Sequence, residues 1–288
     1  AQLGTVAATA AISRAGVDAA AVDLAVFGHI ITTTSDDVYL ARQIALQSGM
    51  APSSNAFQVN RLCGSGLQAI VSAAQQLLLG DGQLALCGGA ESMSQGAFLL
   101  PGVRKGLRVG HAAVTDLTLG ILTDPFGSGH MGITAENIAA KYGFTRSQLD
   151  AFALESQQRA ARAQQAGYFN PQIMPVQIPG KTATEVTQDE HVRPATTLDS
   201  LSQLKPAFQA NGLVTAGNAS GLNDGAAALI LATAAYAKSH GLSPKARLLG
   251  YSMAGVEPSL MGLGPIPAVQ QLLAKTGLSL SNIDVIES

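Results

Sequence analysis

Apolar residues alternate between helical and strand spacing through the first third of the chain. Residues 3–15 carry a helical pattern that stops at Gly16, and residues 22–27 form a short continuous apolar run of strand type. The same alternation then predicts a helix over 40–48, a strand over 56–59, a helix over 67–79 and a strand over 83–86. In the 67–79 helix, Ile70, Val71, Ala74, Leu77 and Leu78 fall on one stripe. Strands alternating with helices point to an α/β sheet with crossover connections.

The pattern changes between about residues 95 and 216, where turns, proline and charge become denser. Helices are predicted over 134–142, with Ala135, Ile138 and Ala139 inward, and over 146–166. The second opens with Thr145 as cap and Gln148 three residues on, and stops at Gly167. Residues 180–197 read as a loop with short strands. Core character returns in Ala226-Ala227-Ala228-Leu229-Ile230-Leu231, which reads as a fully buried strand. A helix over 234–239 follows and ends before Gly241. The intervening segment reads as an insertion between core elements.

A short internal repeat links the two ends. Ala15-Gly16-Val17, a spacer and Val22-Asp23-Leu24-Ala25-Val26 recur as Thr276-Gly277-Leu278, a spacer of the same length and Ile283-Asp284-Val285-Ile286. Helix–glycine–strand connections are common, so one match of this length is weak evidence alone.

Composition narrows the classes. At 47% hydrophobic and only 12% charged, 288 residues suffice for a large core with elements covered on both sides. The formal net charge of −2 and the lack of a basic block argue against a nucleic-acid partner. Two cysteines without a CxxC pair argue against a disulfide framework and a zinc site, and no metal is expected. No apolar run reads as long enough to span a membrane, so no membrane partner is expected.

The chemistry concentrates in Asn60-Arg61-Leu62-Cys63-Gly64-Ser65-Gly66-Leu67-Gln68-Ala69, where an extended segment meets a helix. A thiol at a helix N-terminus feels the positive end of the dipole, which favours thiolate. Small residues after it leave backbone N–H groups open to a carbonyl oxygen. That suits a nucleophile taking up an acyl group, but spacing alone equally fits a small buried hydrophobe. Gly64-x-Gly66-x-x-Ala69 also fits a loose dinucleotide fingerprint. The next strand, however, ends in Cys87-Gly88-Gly89 with no acid until Glu91, which weakens that reading.

Five segments decide between these readings. They are Asn60 to Ala69, Gly88-Gly89-Ala90-Glu91-Ser92-Met93-Ser94, His130-Met131-Gly132-Ile133-Thr134-Ala135-Glu136-Asn137, the stretch from Thr215 through Asn218-Ala219-Ser220-Gly221 to Ala227, and Met261-Gly262-Leu263-Gly264-Pro265-Ile266-Pro267-Ala268. Each resembles a thiolase segment, in the family's order over nearly the whole chain, and the resemblance is to biosynthetic, short-chain acetyl-CoA C-acetyltransferases. It implies an α/β thiolase fold, two duplicated core halves in an αβαβα five-layered arrangement with an inserted loop domain. Residues 1–94 and 221–243 would form the N-terminal half, 95–220 the inserted domain for CoA binding and tetramerisation, and 244–288 the start of the C-terminal half. With the repeat, this gives the expectation of a sequence truncated at both ends and inactive alone.

The resemblance further implies a reversible Claisen condensation of two acetyl-CoA molecules to acetoacetyl-CoA and CoA. Cys63 would be the acyl-carrying nucleophile and its N–H an oxyanion donor. CoA would be substrate and product, with no tightly bound cofactor. Ser220 matches a pantetheine contact, Met131 and Met261 the methionines beside the thioester, and His130 the acyl and pantetheine pocket. Leu122 and Phe208 match apolar contacts to pantetheine and adenine, Arg193 and Ser200 polar contacts near the nucleotide, and Ala216 a close backbone approach to pantetheine. Cys87 matches a small buried residue instead of the second catalytic cysteine. That cysteine and the catalytic histidine belong to Asn-Glu-Ala-Phe, Gly-His-Pro and Cys-x-Gly-Gly-Gly stretches that this sequence does not contain. His111, His191 and His240 are expected to be solvated and His29 structural. Residues 104–110 fall in the family's tetramerisation loop, so the complete protein is expected to be a homotetramer. A thiol nucleophile fits a reducing, cytoplasmic setting.

Three alternatives remain at this stage. One is a non-catalytic CoA-binding remnant, should Ser288 be the true end. A ketoacyl synthase would lack the Asn-Ala-Ser-Gly-Leu-Asn-Asp-Gly pattern, and a serine hydrolase would need a G-x-S-x-G that does not occur.

Overall fold

The computed structural model describes residues 1–178, 180 and 183–287. They form two compact units. One comprises Ala1–Ile121, Tyr168–His191 and Leu222–Pro244, and the other Leu122–Gly167, Val192–Gly221 and Lys245–Ser288.

The first unit is built on a four-stranded sheet of β1 (Leu24–Gly28), β2 (Asn55–Val59), β3 (Leu84–Ser92) and β4 (Asp224–Ala232). Its order is β4-β3-β1-β2, with β1 parallel to both β2 and β3, and β4 antiparallel to β3. Helices α1 (Gln2–Ala15), α2 (Leu40–Gln47) and α3 (Ser65–Leu79) supply the crossovers and cover. Alternation along β1 explains why its five residues are all buried. Ala25 and Phe27 join Ala8, Ile12, Leu40 and Ile44 under α1 and α2, whereas Leu24 and Val26 join Ala69, Ala73 and Leu77 under α3.

The α3 stripe differs from the sequence expectation at Leu78. Ala69 and Ala73 are fully buried and Leu77 nearly so, while Leu78 is 86% exposed. Of the expected stripe, Val71 and Leu77 are buried and Ile70 packs against the same cluster as Ala69, so the stripe is correct but for Leu78, and Ala69 and Ala73 at i and i+4 let the helix lie close to the sheet. The stretch Leu62–Leu79 is also long and apolar enough by composition to cross a membrane, contrary to the sequence reading. Its apolarity follows from one face packing on β1 and β3 while Leu67, Leu78 and Leu79 lie on the exposed surface.

Strand β4 is not fully buried. It pairs with β3 alone among the described strands, and its exposure alternates. Ala226, Ala228 and Ile230 pack toward the α1 cluster, and Leu229 is exposed. An antiparallel edge strand needs cover on one face only.

The second unit contains α4 (Met131–Tyr142), α5 (Arg146–Gln165), α6 (Leu198–Ser202) and α7 (Pro265–Thr276). The Thr145–Gln148 capping box at α5 forms as expected. In α4, Ala135 is exposed and Glu136 takes the inward place. The Glu136 carboxylate accepts the Leu213 and Val214 N–H groups, which satisfies its buried charge. In the expected 180–197 loop, the first unit's short strands Val176–Ile178 and Thr184–Val186 pair antiparallel, and Lys181 and Thr182 lie outside the described residues.

The repeat is visible as far as the turn. Both α1 and α7 end at a left-handed glycine, Gly16 at φ 68° and Gly277 at φ 70°, and a short 3-10 turn follows each. The strand expected at 283–286 does not form. Val285 and Ile286 are exposed, and no described strand pairs with them. An extended segment becomes a strand only when a neighbour takes its N–H and C=O groups.

Candidate active site

Strands β1 and β2 end level with Gly89 of β3, which runs on to Ser92, and the chain leaving β2 turns at once into α3. Cys63 lies in this turn and is exposed. Leu62 before it is held at φ 49°, a left-handed conformation costly for a γ-branched side chain. Three bonds hold this geometry: Asn60 Oδ1 accepts the Leu62 N–H at 3.0 Å, Ser65 Oγ accepts the Arg61 N–H at 2.7 Å, and Ser65 Oγ donates to the Leu62 carbonyl at 2.6 Å. Ser65 is 1% exposed, so its hydroxyl is committed to the turn.

The N–H groups of Cys63 and Gly66 make no hydrogen bond among the described residues. They are therefore open donors at a helix N-terminus beside an exposed thiol, a geometry suited to a carbonyl oxygen that gains charge. The turn borders a cavity of about 400 Å³ at the carboxyl ends of the strands, lined by Gly28, Leu62, Cys63, Gly89 and Glu91 among others. Gly28 is required there. A Cβ on it would stand 2.7 Å from the Ser65 carbonyl carbon and 2.8 Å from the Gly66 nitrogen.

Cys87 contrasts with Cys63. It is fully buried between β1 and α3, and burial pushes its thiol up to about 12. It behaves as a small apolar residue, as expected.

The other site residues expected from the sequence all belong to the second unit. Leu122 is half-buried, and its carbonyl accepts the Met131 N–H at 2.8 Å. His130 caps α4, its Nδ1 accepting the Gly132 N–H at 3.0 Å, which leaves the ring proton on Nε2. Its ring stacks on Phe208 at 4.6 Å between centroids. Gly132 gives that stack its room, since a Cβ there would overlap the Phe208 ring. Ala216 and Ser220 are exposed on the segment after Leu213. Asn218 braces this segment by donating to Asp150 at 2.9 Å and to the Leu213 carbonyl at 3.0 Å, and Arg146 holds Asp150 at 2.7 Å. Met261 is exposed in the 3-10 segment Pro258–Leu263. Arg193 is exposed, and its guanidinium makes no hydrogen bond or ion pair among the described residues. Ser200 Oγ is engaged in the α6 capping box, donating to the Thr197 carbonyl at 2.8 Å and accepting the Thr197 N–H at 3.0 Å.

Sequence reasoning missed three features here: the left-handed Leu62, the double role of Ser65, and a group of buried His29 and Asp37 with half-buried Glu91 beside the cavity. The last carried a readable signal, because an acid ending an apolar strand must find donors. Glu91 finds the Ile30 N–H at 3.0 Å and the Ile31 N–H at 2.8 Å.

The family model described as thiolase, N-terminal domain, matches residues 1–235, and that described as thiolase, C-terminal domain, matches residues 242–288. The chain is 50% identical to the beta-ketothiolase BktB of Cupriavidus necator, covering 100% of this chain and 74% of that protein. It is 44% identical to an acetyl-CoA acetyltransferase of Pseudomonas aeruginosa, with the same two coverages. Among solved structures, human mitochondrial 3-ketoacyl-CoA thiolase in complex with CoA superposes with a TM-score of 0.94 at 42% identity, over 98% of this chain and 71% of that one. The acetyl-CoA acetyltransferase of Bacillus anthracis gives 0.95 at 40% identity, over 99% and 72%.

Proposed function

The chain belongs to the thiolase family, and on that premise we propose that the complete protein transfers an acetyl group between two acetyl-CoA molecules through Cys63. The fold is the thiolase fold and the enzyme is an acyltransferase of this class. The observation that carries the mechanism is the exposed Cys63 thiol beside its own unbonded N–H, at the end of a strained turn that borders a cavity.

In the first half-reaction the Cys63 sulfur attacks the thioester carbonyl. A carbon–sulfur bond to Cys63 forms, the bond to the CoA sulfur breaks, and the thiol proton ends on the departing CoA thiolate. The oxyanion formed on the way is met by backbone N–H donors at the start of α3. In the second half-reaction a base removes a methyl proton from a second acetyl-CoA. The carbanion attacks the acetyl-cysteine, a carbon–carbon bond forms, and Cys63 leaves as thiolate with acetoacetyl-CoA as product. Thiolysis is the reverse. In thiolases that base belongs to a Cys-x-Gly-Gly-Gly stretch, which this sequence does not contain.

We assign CoA contacts to the second unit. His130 stacked on Phe208, with Leu122, Met131 and Met261, would supply the apolar walls. Ala216 and Ser220 on the braced segment would meet pantetheine, and Arg193 and Ser200 the nucleotide end. The Ser200 hydroxyl donates to its own helix cap, so it has only acceptor capacity to offer a ligand. Exposed Leu100, Val103, Leu107 and Val109 support a homotetramer, and the thiol chemistry supports a reducing cytoplasmic setting.

The test is turnover by the complete protein in both directions. Acetoacetyl-CoA formation from acetyl-CoA, and its CoA-dependent cleavage, are expected, and both should vanish in Cys63→Ala. Retained turnover in that variant would refute the assignment. A series of 3-ketoacyl-CoA substrates of increasing length then reads the acyl range.

A further inference from the structure

His29 follows β1 with its ring enclosed between two carboxylates, and 6% of the residue is exposed. Nδ1 lies 3.0 Å from the Ala90 carbonyl and 3.3 Å from Glu91 Oε1. A carbonyl only accepts, so Nδ1 must carry a proton. Nε2 is buried with no hydrogen-bond partner and lies 3.8 Å from Asp37 Oδ2. A bare lone pair there would face an anion, whereas an N–H would be attracted to it. Neither carboxylate is free to swing away. Asp37 Oδ2 accepts the Thr33 N–H at 2.6 Å, the Thr33 hydroxyl at 2.7 Å and the Thr34 N–H at 3.1 Å, and Glu91 holds the Ile30 and Ile31 N–H groups. Gly28, Ile30, Glu91 and Cys63 border the same cavity.

We propose that His29, as an imidazolium, is a positioning residue for acyl transfer at Cys63: it bridges Asp37 and Glu91 and locks the Glu91 carboxylate onto the Ile30 and Ile31 N–H groups, which fixes one wall of the Cys63 cavity. This role rests on the function proposed above. Glu91 and Asp37 are the charged groups facing the ring. From β2 it meets a backbone group, the Val59 carbonyl, which accepts the His29 N–H at 3.1 Å. Burial lowers the pKa of the ring, but the bonds to Glu91 and Ala90 and the charges of Glu91 and Asp37 outweigh it, so the net shift is upward. The lock is therefore complete below the ordinary histidine value and weakens as pH rises through the raised one.

The experiment uses the complete protein. Single-turnover acetylation of Cys63 by acetyl-CoA is followed by mass spectrometry in wild type, His29→Ala and His29→Gln across pH, and the His29 ring of wild type is read by nitrogen NMR. Acetylation of Cys63 is expected to slow roughly tenfold in His29→Ala, the loss of a charge-assisted bond, with partial rescue in His29→Gln. The wild-type advantage should shrink as pH rises, and both ring nitrogens should carry protons below the ordinary histidine value. Wild-type rates in His29→Ala at every pH, or a neutral ring below the ordinary histidine value, would overturn this role alone. No acetylation of Cys63 in wild type would overturn the function itself and this role with it. Should His29→Ala fail to fold, Glu91→Gln takes its place with the same expected slowing, and the NMR reading stands.

Discussion

The Ser65 hydroxyl donates to the Leu62 carbonyl at 2.6 Å, and so a fully buried side chain holds the residue before Cys63 in a left-handed backbone. The same oxygen accepts the Arg61 N–H, so one atom closes the turn from both sides. Ser65→Ala leaves the Arg61 N–H without its acceptor and Leu62 without its tether. A stability loss of about 1–3 kcal/mol is expected, with slower acetylation of Cys63. Urea unfolding and single-turnover mass spectrometry check the two effects. Unchanged acetylation would show that the turn geometry does not matter to the chemistry.

Gly28 allows α3 to begin against the end of β1. In Gly28→Ala the new Cβ meets the backbone of Ser65 and Gly66, which cannot rotate aside as a side chain can. Overpacking of this kind costs roughly 1–3 kcal/mol. The urea midpoint should fall and acetylation should slow, because the displaced element carries the Cys63 turn.

The two cysteines should react very differently. Cys63 is exposed, and Cys87 is buried with its thiol pushed up to about 12. Iodoacetamide on the native protein is expected to label Cys63 alone, and Cys87 only after denaturation. Peptide mapping before and after urea distinguishes them. Labelling of native Cys87 would contradict its burial.

Acid should destabilise the first unit through two aspartates. Burial raises the pKa of Asp37, but the Thr33 and Thr34 bonds and the His29 charge outweigh it, and the Ser94 and Ser92 bonds do the same for Asp224. Both carboxyls end below their ordinary range. A depressed folded pKa contributes stability above the unfolded value, and this is lost as pH falls through the folded one. His29 runs the opposite way, because its raised pKa contributes stability that is lost as pH rises through it. Unfolding free energy is therefore expected to fall on the acid side in wild type and to fall less steeply in Asp37→Asn. Equal acid slopes would contradict the Asp37 assignment.

Much of the fold was legible in the sequence because local rules govern it. The Gly16 and Gly167 stops and the Thr145–Gln148 box depend on neighbours within a turn, and they formed as read. The strand expected at 283–286 and the full burial of β4 failed because each depends on what lies alongside, which periodicity does not encode. In α3, Val71 and Leu77 are inward as read, whereas Leu78 is exposed and Ala69 and Ala73 take the closest contacts, because small alanines carry little hydrophobic weight yet permit close packing on a sheet. Cys63 was visible from its motif. Its supports were not, because Leu62's backbone and the pairing of Glu91 with His29 arise only when β1 and β2 end beside β3.

The central claim is that Cys63 carries the acyl group, and a covalent adduct tests it most directly. The complete protein, mixed with acetyl-CoA and quenched in acid, is expected to gain one acetyl mass, mapped to the peptide containing Cys63 and absent in Cys63→Ala. An acetyl group on another residue, or an adduct that persists in Cys63→Ala, would contradict the account.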